Sequence, residues 1–202
     1  MRVAVLASGT GTNLQALLDQ VHGRDGIEIA AVASDKPQAP ALDRARRAEV
    51  SLRAFPGAEF GDRAARDRAM ADWLLELGVE LVVLAGYMQL LSSEFLARFP
   101  DRVINVHPAL LPAFPGLTPV LDALAYGARV FGVTVHFVDG GVDSGPVILQ
   151  RAVELPDAVD ADAVLERLHP IEHELLPEAV RLIARGAVSF DPANRRRVVI
   201  ER

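Results

Sequence analysis

The sequence predicts an α/β fold: a Rossmann-like, mostly parallel sheet with helices on both faces, completed by a C-terminal β-hairpin and a long helix. Three observations predict it. Short β-branched apolar runs alternate with helical patterns over the first half of the chain, as parallel strands joined by crossover helices do. A glycine-bearing turn, SGTGTN at 8–13, follows the first apolar run and opens a helix. Further on, two long apolar runs are separated by one short turn, a spacing that suits a hairpin and not a crossover.

The elements follow in order. RVAVLA (2–7) is a buried strand; its apolar run is only five residues, below the usual signal-peptide core of about 7–15. A helix runs from 13 to about 21, IEIAAVAS (27–34) is the second strand, and 39–50 is a helix with apolar positions near period 3.6. SLRAF (51–55) reads as a third strand, 62–77 as an amphipathic helix closed by Gly78, VELVVLA (79–85) as a fourth strand and RVINVH (102–107) as a fifth, stopped by Pro108. A loop at 108–118 holds three prolines, and a short helix follows to about Tyr126. GVTVHFV (132–138) and GPVILQRAVEL (145–155) form the hairpin through DGGVDS, and a last helix covers 162–184. With no repeat and no composition break, one domain is expected over 1–186, followed by a tail at 187–202 that reads as a short edge strand or a frayed end.

Composition excludes several classes. Of 202 residues, 50% are hydrophobic, so the chain is not disordered. No cysteine is present, which removes disulfides, thiolate metal sites and a cysteine nucleophile. Acids outnumber bases 27 to 21, and the one basic run is Arg195-Arg196-Arg197, so no nucleic-acid partner is expected. The sole lysine, Lys36, sits in SDKPQ, which is no Walker loop. The most apolar stretch is broken by Glu80, Gly86 and Gln89 and is too short to span a membrane. A soluble, cytoplasmic protein is expected.

Three groups of residues carry chemistry. In SGTGTN, backbone N–H groups at a helix N-terminus favour an anion, Gly9 and Gly11 permit close approach, and Thr12 and Asn13 add donors. A phosphate is the natural guest. The dinucleotide alternative lacks its third glycine, where Leu14 stands, although Asp35 lies where a ribose-binding acid would; a plain tight turn is the third reading. Asn105 and His107 lie two apart at the end of a strand and so share a face. Asp143, in a glycine-rich turn, reaches the same place if the hairpin packs beside the fifth strand. An asparagine N–H stabilises a developing oxyanion, a histidine moves a proton near neutral pH, and a neighbouring carboxylate favours the imidazolium. Each of the three also has an ordinary structural reading. The third group, His169-Pro170-Ile171-Glu172-His173, matches the HxxEH zinc pattern. Pro170 interrupts a helix there unless it lies in the first turn, which counts against that pattern. No metal is expected, and the polar lining of a site or plain helix surface are the other readings.

These motifs carry a resemblance. SGTGTN, LAGYMQLLS (84–92), NVHPALLPAFPGL (105–117), GVTVHFVDGGVDSGPVILQ (132–150) and Glu172-His173 occur in that order. From about residue 2 to 186 the chain resembles the phosphoribosylglycinamide formyltransferase family of folate-dependent formyltransferases. The resemblance implies transfer of a formyl group from 10-formyltetrahydrofolate, as co-substrate, to the amine of glycinamide ribonucleotide, in purine biosynthesis. It implies Asn105, His107 and Asp143 as the catalytic trio. Gly11, Thr12, Asn13, His169 and Glu172 match segments holding the ribonucleotide. Met88, Gln89, Leu90, Leu91, Asn105 and Asp139, Gly140, Gly141, Val142 and Asp143 match folate-binding segments, with Arg63 as a further ligand contact. Monomer and homodimer are both compatible with it. The chain departs from the pattern at Gln89, where relatives commonly carry arginine, at His169-Pro170, and at 118–121. A formyltetrahydrofolate hydrolase shares the trio but resembles chains with an extra domain, for which 202 residues leave no room. A non-catalytic nucleotide-binding module explains the glycine loop but not the trio.

Overall fold

The computed structural model describes residues 1–201; Arg202, the end of the expected tail, lies outside the described residues. They form two compact units, Met1–Ile104 and the part from Asn105 onward.

The first unit contains β1 (Arg2–Leu6), α1 (Thr12–Gln20), β2 (Glu28–Ser34), α2 (Pro40–Arg47), β3 (Ser51–Ala54), α3 (Arg63–Glu76), β4 (Leu81–Leu84) and α4 (Ser93–Arg98). Its strands run in the order β3-β2-β1-β4, every pair parallel. β1 and β4 are buried almost throughout, which is why they read as continuous apolar runs and not as alternation. Helix starts follow local chemistry: Pro40 sits in the first turn of α2, Asp62 accepts from the Ala65 N–H at 2.7 Å at the head of α3, and Ser92 accepts from Phe95 N–H at 3.3 Å at the head of α4. The sequence reading passed over α4, because six residues are too few to show a period.

One buried ion pair stands out in α3. Arg66 donates through Nε and Nη2 to Asp67 Oδ1 at 2.9 and 2.8 Å, and Asp67 Oδ2 accepts from the Ser92 N–H at 2.6 Å. Both residues are buried, so the second carboxylate oxygen needs that backbone donor to offset desolvation. The pair thereby anchors the end of the segment that follows β4.

β5 (Val103–His107) begins in the first unit and ends in the second, which continues through α5 (Pro119–Tyr126), β6 (Val130–Phe137), β7 (Val147–Glu154), α6 (Ala161–Ala184), β8 (Val188–Asp191) and β9 (Asn194–Ile200). β6 and β7 pair antiparallel from Val130↔Glu154 to His136↔Val147, the expected hairpin. The turn requires glycine at 145: a Cβ there would overlap the backbone carbonyl of Phe137. Gly145→Ala is expected to destabilise the protein by about 1–3 kcal/mol, the usual range for overpacking, read as a lower urea midpoint at unchanged slope.

Two features differ from the sequence reading. α6 matches the helix expected over 162–184, yet it runs unbroken through Pro170 and Pro177, well beyond the first turn, where a proline interrupts a helix by its local cost. The buried face of Val164, Leu168, Leu175, Leu176, Ala179 and Val180 holds the helix, and that packing outweighs the hydrogen bond each proline removes. The segment after residue 187 is an antiparallel hairpin of β8 and β9, with Arg197 bridging parallel to Val147 of β7. Phe190 of β8 packs on Phe137 with ring centroids 4.9 Å apart, so the tail has its own apolar anchor. Parallel strands, a late hairpin and a long helix make up the α/β fold class that the sequence predicts. Among the described residues, no helix is long and apolar enough to cross a membrane.

Candidate active site

β5 presents Asn105 and His107 on one face, and the turn after β6 brings Asp143 to them. Asn105 Nδ2 donates to Asp143 Oδ1 at 3.3 Å, and His107 Nδ1 lies 3.5 Å from Asp143 Oδ2. The other ring nitrogen of His107, Nε2, donates to the Phe114 carbonyl at 2.9 Å. His107 is 4% exposed, so water does not substitute for these partners. Two non-glycine residues hold left-handed backbone here, Phe114 at φ 53° and Asp143 at φ 48°. Such conformations cost free energy and persist where surrounding contacts enforce them. The Phe114 carbonyl is then aimed at His107, and Asp143 Oδ2 accepts the Gly116 N–H at 2.8 Å.

A second histidine joins the trio. His136, on β6 and 1% exposed, places Nε2 3.3 Å from Asn105 Nδ2 and 3.6 Å from Asp143 Oδ1, while Nδ1 donates to the Phe137 carbonyl at 2.8 Å. Because Nδ1 carries the hydrogen, Nε2 is free to accept from Asn105. Two acceptors, His136 Nε2 and Asp143 Oδ1, therefore face one end of the Asn105 amide, which must be its NH2 end. The sequence reading missed His136, though a signal existed: alternation in GVTVHFV puts Thr134 and His136 on one face, seven residues before Asp143. Thr134 works beside it. Its hydroxyl donates to Ala109 O at 2.7 Å and accepts from Leu111 N–H at 3.1 Å, fixing the chain just after His107.

Electrostatics keep Asp143 ionised. Burial pushes its carboxyl up, but the Gly116 N–H and the charge of His107, joined by a hydrogen bond and charge from His136 whenever its Nε2 is protonated, outweigh that, and the net shift is below the ordinary value. The turn itself is laced: Asp139 Oδ1 accepts from Gly141 N–H at 3.0 Å and Ser144 Oγ at 2.6 Å, and Arg196 of β9 donates to the Ser144 carbonyl at 2.6 Å. Gly140, Gly141 and Val142 are exposed at its tip.

On α6, Glu172 is buried, and the rings of His169 and His173 stack at 6.3 Å with 12° between planes. Burial and the neighbouring His169 push the His173 imidazole below its usual value. Among the described residues, no cluster of three or more histidine, cysteine, aspartate or glutamate side chains able to hold a metal is found.

The remaining expected residues belong to the first unit. Gly11 caps α1 at φ 72°, followed by Thr12 and the buried Asn13. Arg63 is exposed at the first residue of α3. After β4, Met88 and Leu90 point outward at 54% and 57% exposure, an apolar pair open to a ligand. Gln89 between them is engaged internally: Nε2 donates to Asp35 Oδ2 at 3.2 Å and Oε1 accepts from Arg66 Nη1 at 3.3 Å. Tyr87, also passed over in the sequence reading, buries its hydroxyl with no hydrogen-bond partner among the described residues, and desolvation raises that phenol, partly opposed by Arg66.

An amide N–H, an imidazole and a carboxylate that converge at a strand end in an α/β fold have the chemistry to stabilise an oxyanion and move a proton. The chain belongs to the formyl transferase family, whose model matches residues 1–180. It is 42% identical over 188 residues to the phosphoribosylglycinamide formyltransferase of Mycobacterium tuberculosis (strain ATCC 25618 / H37Rv), covering 93% of this chain and 87% of that one. It is 39% identical over 196 residues to the trifunctional purine biosynthetic protein adenosine-3 of Gallus gallus, covering 96% of this chain but spanning only 20% of that protein. Among solved structures, glycinamide ribonucleotide transformylase 1 from Symbiobacterium toebii superposes at a TM-score of 0.95 with 46% identity, covering 100% of this chain and 94% of that one.

Proposed function

We propose that this protein transfers the formyl group of 10-formyltetrahydrofolate to the amine of glycinamide ribonucleotide in purine biosynthesis. The observation that carries the reading is the convergence of Asn105, His107 and Asp143, in a chain similar over most of its length to enzymes named for that reaction.

In this mechanism the neutral amine attacks the formyl carbon and a tetrahedral oxyanion forms. One N–H of Asn105, released from Asp143 or His136, turns to the oxyanion. His107 acts as an imidazolium: Nε2–H is held by Phe114 and Nδ1 faces the Asp143 carboxylate, so both ring nitrogens look onto acceptors. Asp143 fixes that ring and relays the amine proton, through water, toward the departing N10. The C–N10 bond breaks, N10 leaves protonated, and the formyl group stays on the amine. Positioning and electrostatics supply the rate, with no covalent intermediate and no metal.

The α1 N-terminus, with Gly11, Thr12 and Asn13, takes the substrate phosphate, and His169 and Glu172 hold its ribose or amine end. Arg63, Met88, Leu90, Leu91 and the turn from Asp139 to Asp143 take the folate; Gln89, occupied by Asp35 and Arg66, holds its segment in place. A formyltransferase domain over 1–186 acts in the cytoplasm, as a monomer or homodimer, on small molecules and not on nucleic acid or membrane.

The deciding experiment follows absorbance during incubation with 10-formyltetrahydrofolate, with and without glycinamide ribonucleotide. Turnover that requires the amine is expected. Turnover without it makes the protein a hydrolase, and no turnover leaves a nucleotide-binding module. Chelator treatment is expected to leave the rate unchanged.

A further inference from the structure

We infer that Arg44 is a positioning residue that aims the glycine loop of the first unit at its anionic substrate; the inference rests on the phosphate reading of Gly11, Thr12 and Asn13. Arg44 lies on α2, in sequence remote from the loop. Its Nε donates to the Thr10 carbonyl at 2.8 Å, and its Nη1 donates to Gln15 Oε1, one turn into α1, at 3.0 Å. Ahead of it on α2, the Ala41 N–H donates to the Gly9 carbonyl at 3.2 Å. Two successive carbonyls of the loop, those of Gly9 and Thr10, are thus tied to α2.

Peptide planarity converts these two bonds into a direction. In a trans peptide the C=O and N–H point opposite ways. With the Gly9 and Thr10 carbonyls turned to α2, the N–H groups of Thr10 and Gly11 turn away from it. Two consecutive N–H groups aimed to one side form an anion-binding concavity that leads into the N-terminus of α1. The cap residue of α1 is glycine, with no side chain to occupy that end.

Steric closeness sets the residue at the contact. A Cβ on Gly11 would lie 2.8 Å from the Ala41 Cβ and 2.9 Å from its Cα, with Arg44 Cδ at 3.4 Å behind. The loop rests directly on α2, so a change in Arg44 is felt as a change in where the loop points. The guanidinium does this with its fork of donors; its charge faces the back of the loop. Lysine gathers its three donors on one nitrogen and does not reproduce the fixed spacing of Nε and Nη1 that matches Thr10 and Gln15.

The test compares Arg44→Met, Arg44→Lys and Asn13→Ala by steady-state kinetics and thermal unfolding. Arg44→Met is expected to raise KM for glycinamide ribonucleotide about tenfold, as loss of hydrogen bonds from a charged group does. KM for 10-formyltetrahydrofolate and kcat at saturation are expected to stay within about twofold, and competitive inhibition by inorganic phosphate is expected to weaken in parallel with the ribonucleotide KM. Arg44→Lys, keeping charge without the fork, is expected to resemble Arg44→Met. An unchanged ribonucleotide KM, or both KM values rising together with a falling melting temperature, overturns the inference. So does full activity in Arg44→Lys, which would make the role one of charge. If Asn13→Ala leaves the ribonucleotide KM unchanged, the phosphate reading itself fails and the inference falls with it. If Asn13→Ala raises that KM while Arg44→Met does not, only the inference fails.

Discussion

Asp143→Asn is expected to lower kcat by about 1,000- to 10,000-fold, the scale seen when a carboxylate that orients a catalytic histidine becomes an amide. The two oxygens of Asp143 accept on both sides. Oδ1 takes the Asn105 amide, with His136 nearby, and Oδ2 takes the Gly116 N–H and faces His107. An asparagine carries one oxygen and one NH2. Whichever way it turns, an N–H confronts a donor, either Asn105 or Gly116, and one side of the network opens. His107 then loses the anion that its Nδ1 faces. Steady-state rates for the two proteins decide the matter, and a loss of less than about tenfold would remove Asp143 from the reaction.

The pH dependence has a definite sign. The folded-state value of Asp143 is lowered from 3.8 because its hydrogen bonds and the histidine charges outweigh burial. A depressed carboxylate contributes stability above its unfolded value, and that stability is lost as pH falls through the folded value. The stability difference between the native chain and Asp143→Asn is therefore expected to be full above about pH 5 and to shrink in acid. Denaturant midpoints measured across that range check it. An inflection in kcat/KM above about pH 5 belongs to some group other than Asp143.

Asn105→Ala is expected to cost about 100- to 1,000-fold in kcat, the effect of deleting one oxyanion donor. The resting geometry adds a condition. Both hydrogens of the Asn105 amide are held, one by Asp143 Oδ1 and one by His136 Nε2, each at 3.3 Å. Those distances are long for N–H···O and N–H···N bonds, so an oxyanion can draw one N–H away at small cost. The two acceptors pre-orient the NH2 end, which a lone asparagine at a strand end would not keep. Asn105→Asp places negative charge beside Asp143 and is expected to lose at least as much as alanine, whereas a purely structural asparagine would tolerate either change. Single-turnover rates separate chemistry from binding in both variants.

The parts of the fold that the sequence made legible are those where one short segment contains its own reason. β1, β2 and β4 read correctly because a strand buried on both faces is apolar throughout. The β6–β7 hairpin read correctly because its length and glycine-rich turn admit no crossover. In the candidate site, Asn105 and His107 were legible through period-two spacing, and Asp143 through its turn. α4 was not, being shorter than two helical turns. The tail was not, because β9 is held by a bridge to β7 and by Phe190 on Phe137, contacts to residues some 50 positions away. Pro170 misled, since its local cost is visible in sequence while the burial that overrides it is not.

By itself, then, the sequence determined the element order, the glycine at the head of α1, and the residue types able to stabilise an oxyanion and move a proton. These are consequences of local sterics and of chemical identity, which no partner alters. The tertiary structure decided what those residues do together. It chose which end of Asn105 meets Asp143, brought His136 into the network, spent the Gln89 amide on Asp35 and Arg66, and turned two peptide carbonyls of the glycine loop onto α2. The physical reason is the same in each case. A hydrogen bond has a direction and needs both partners in place, and only the folded chain sets those places.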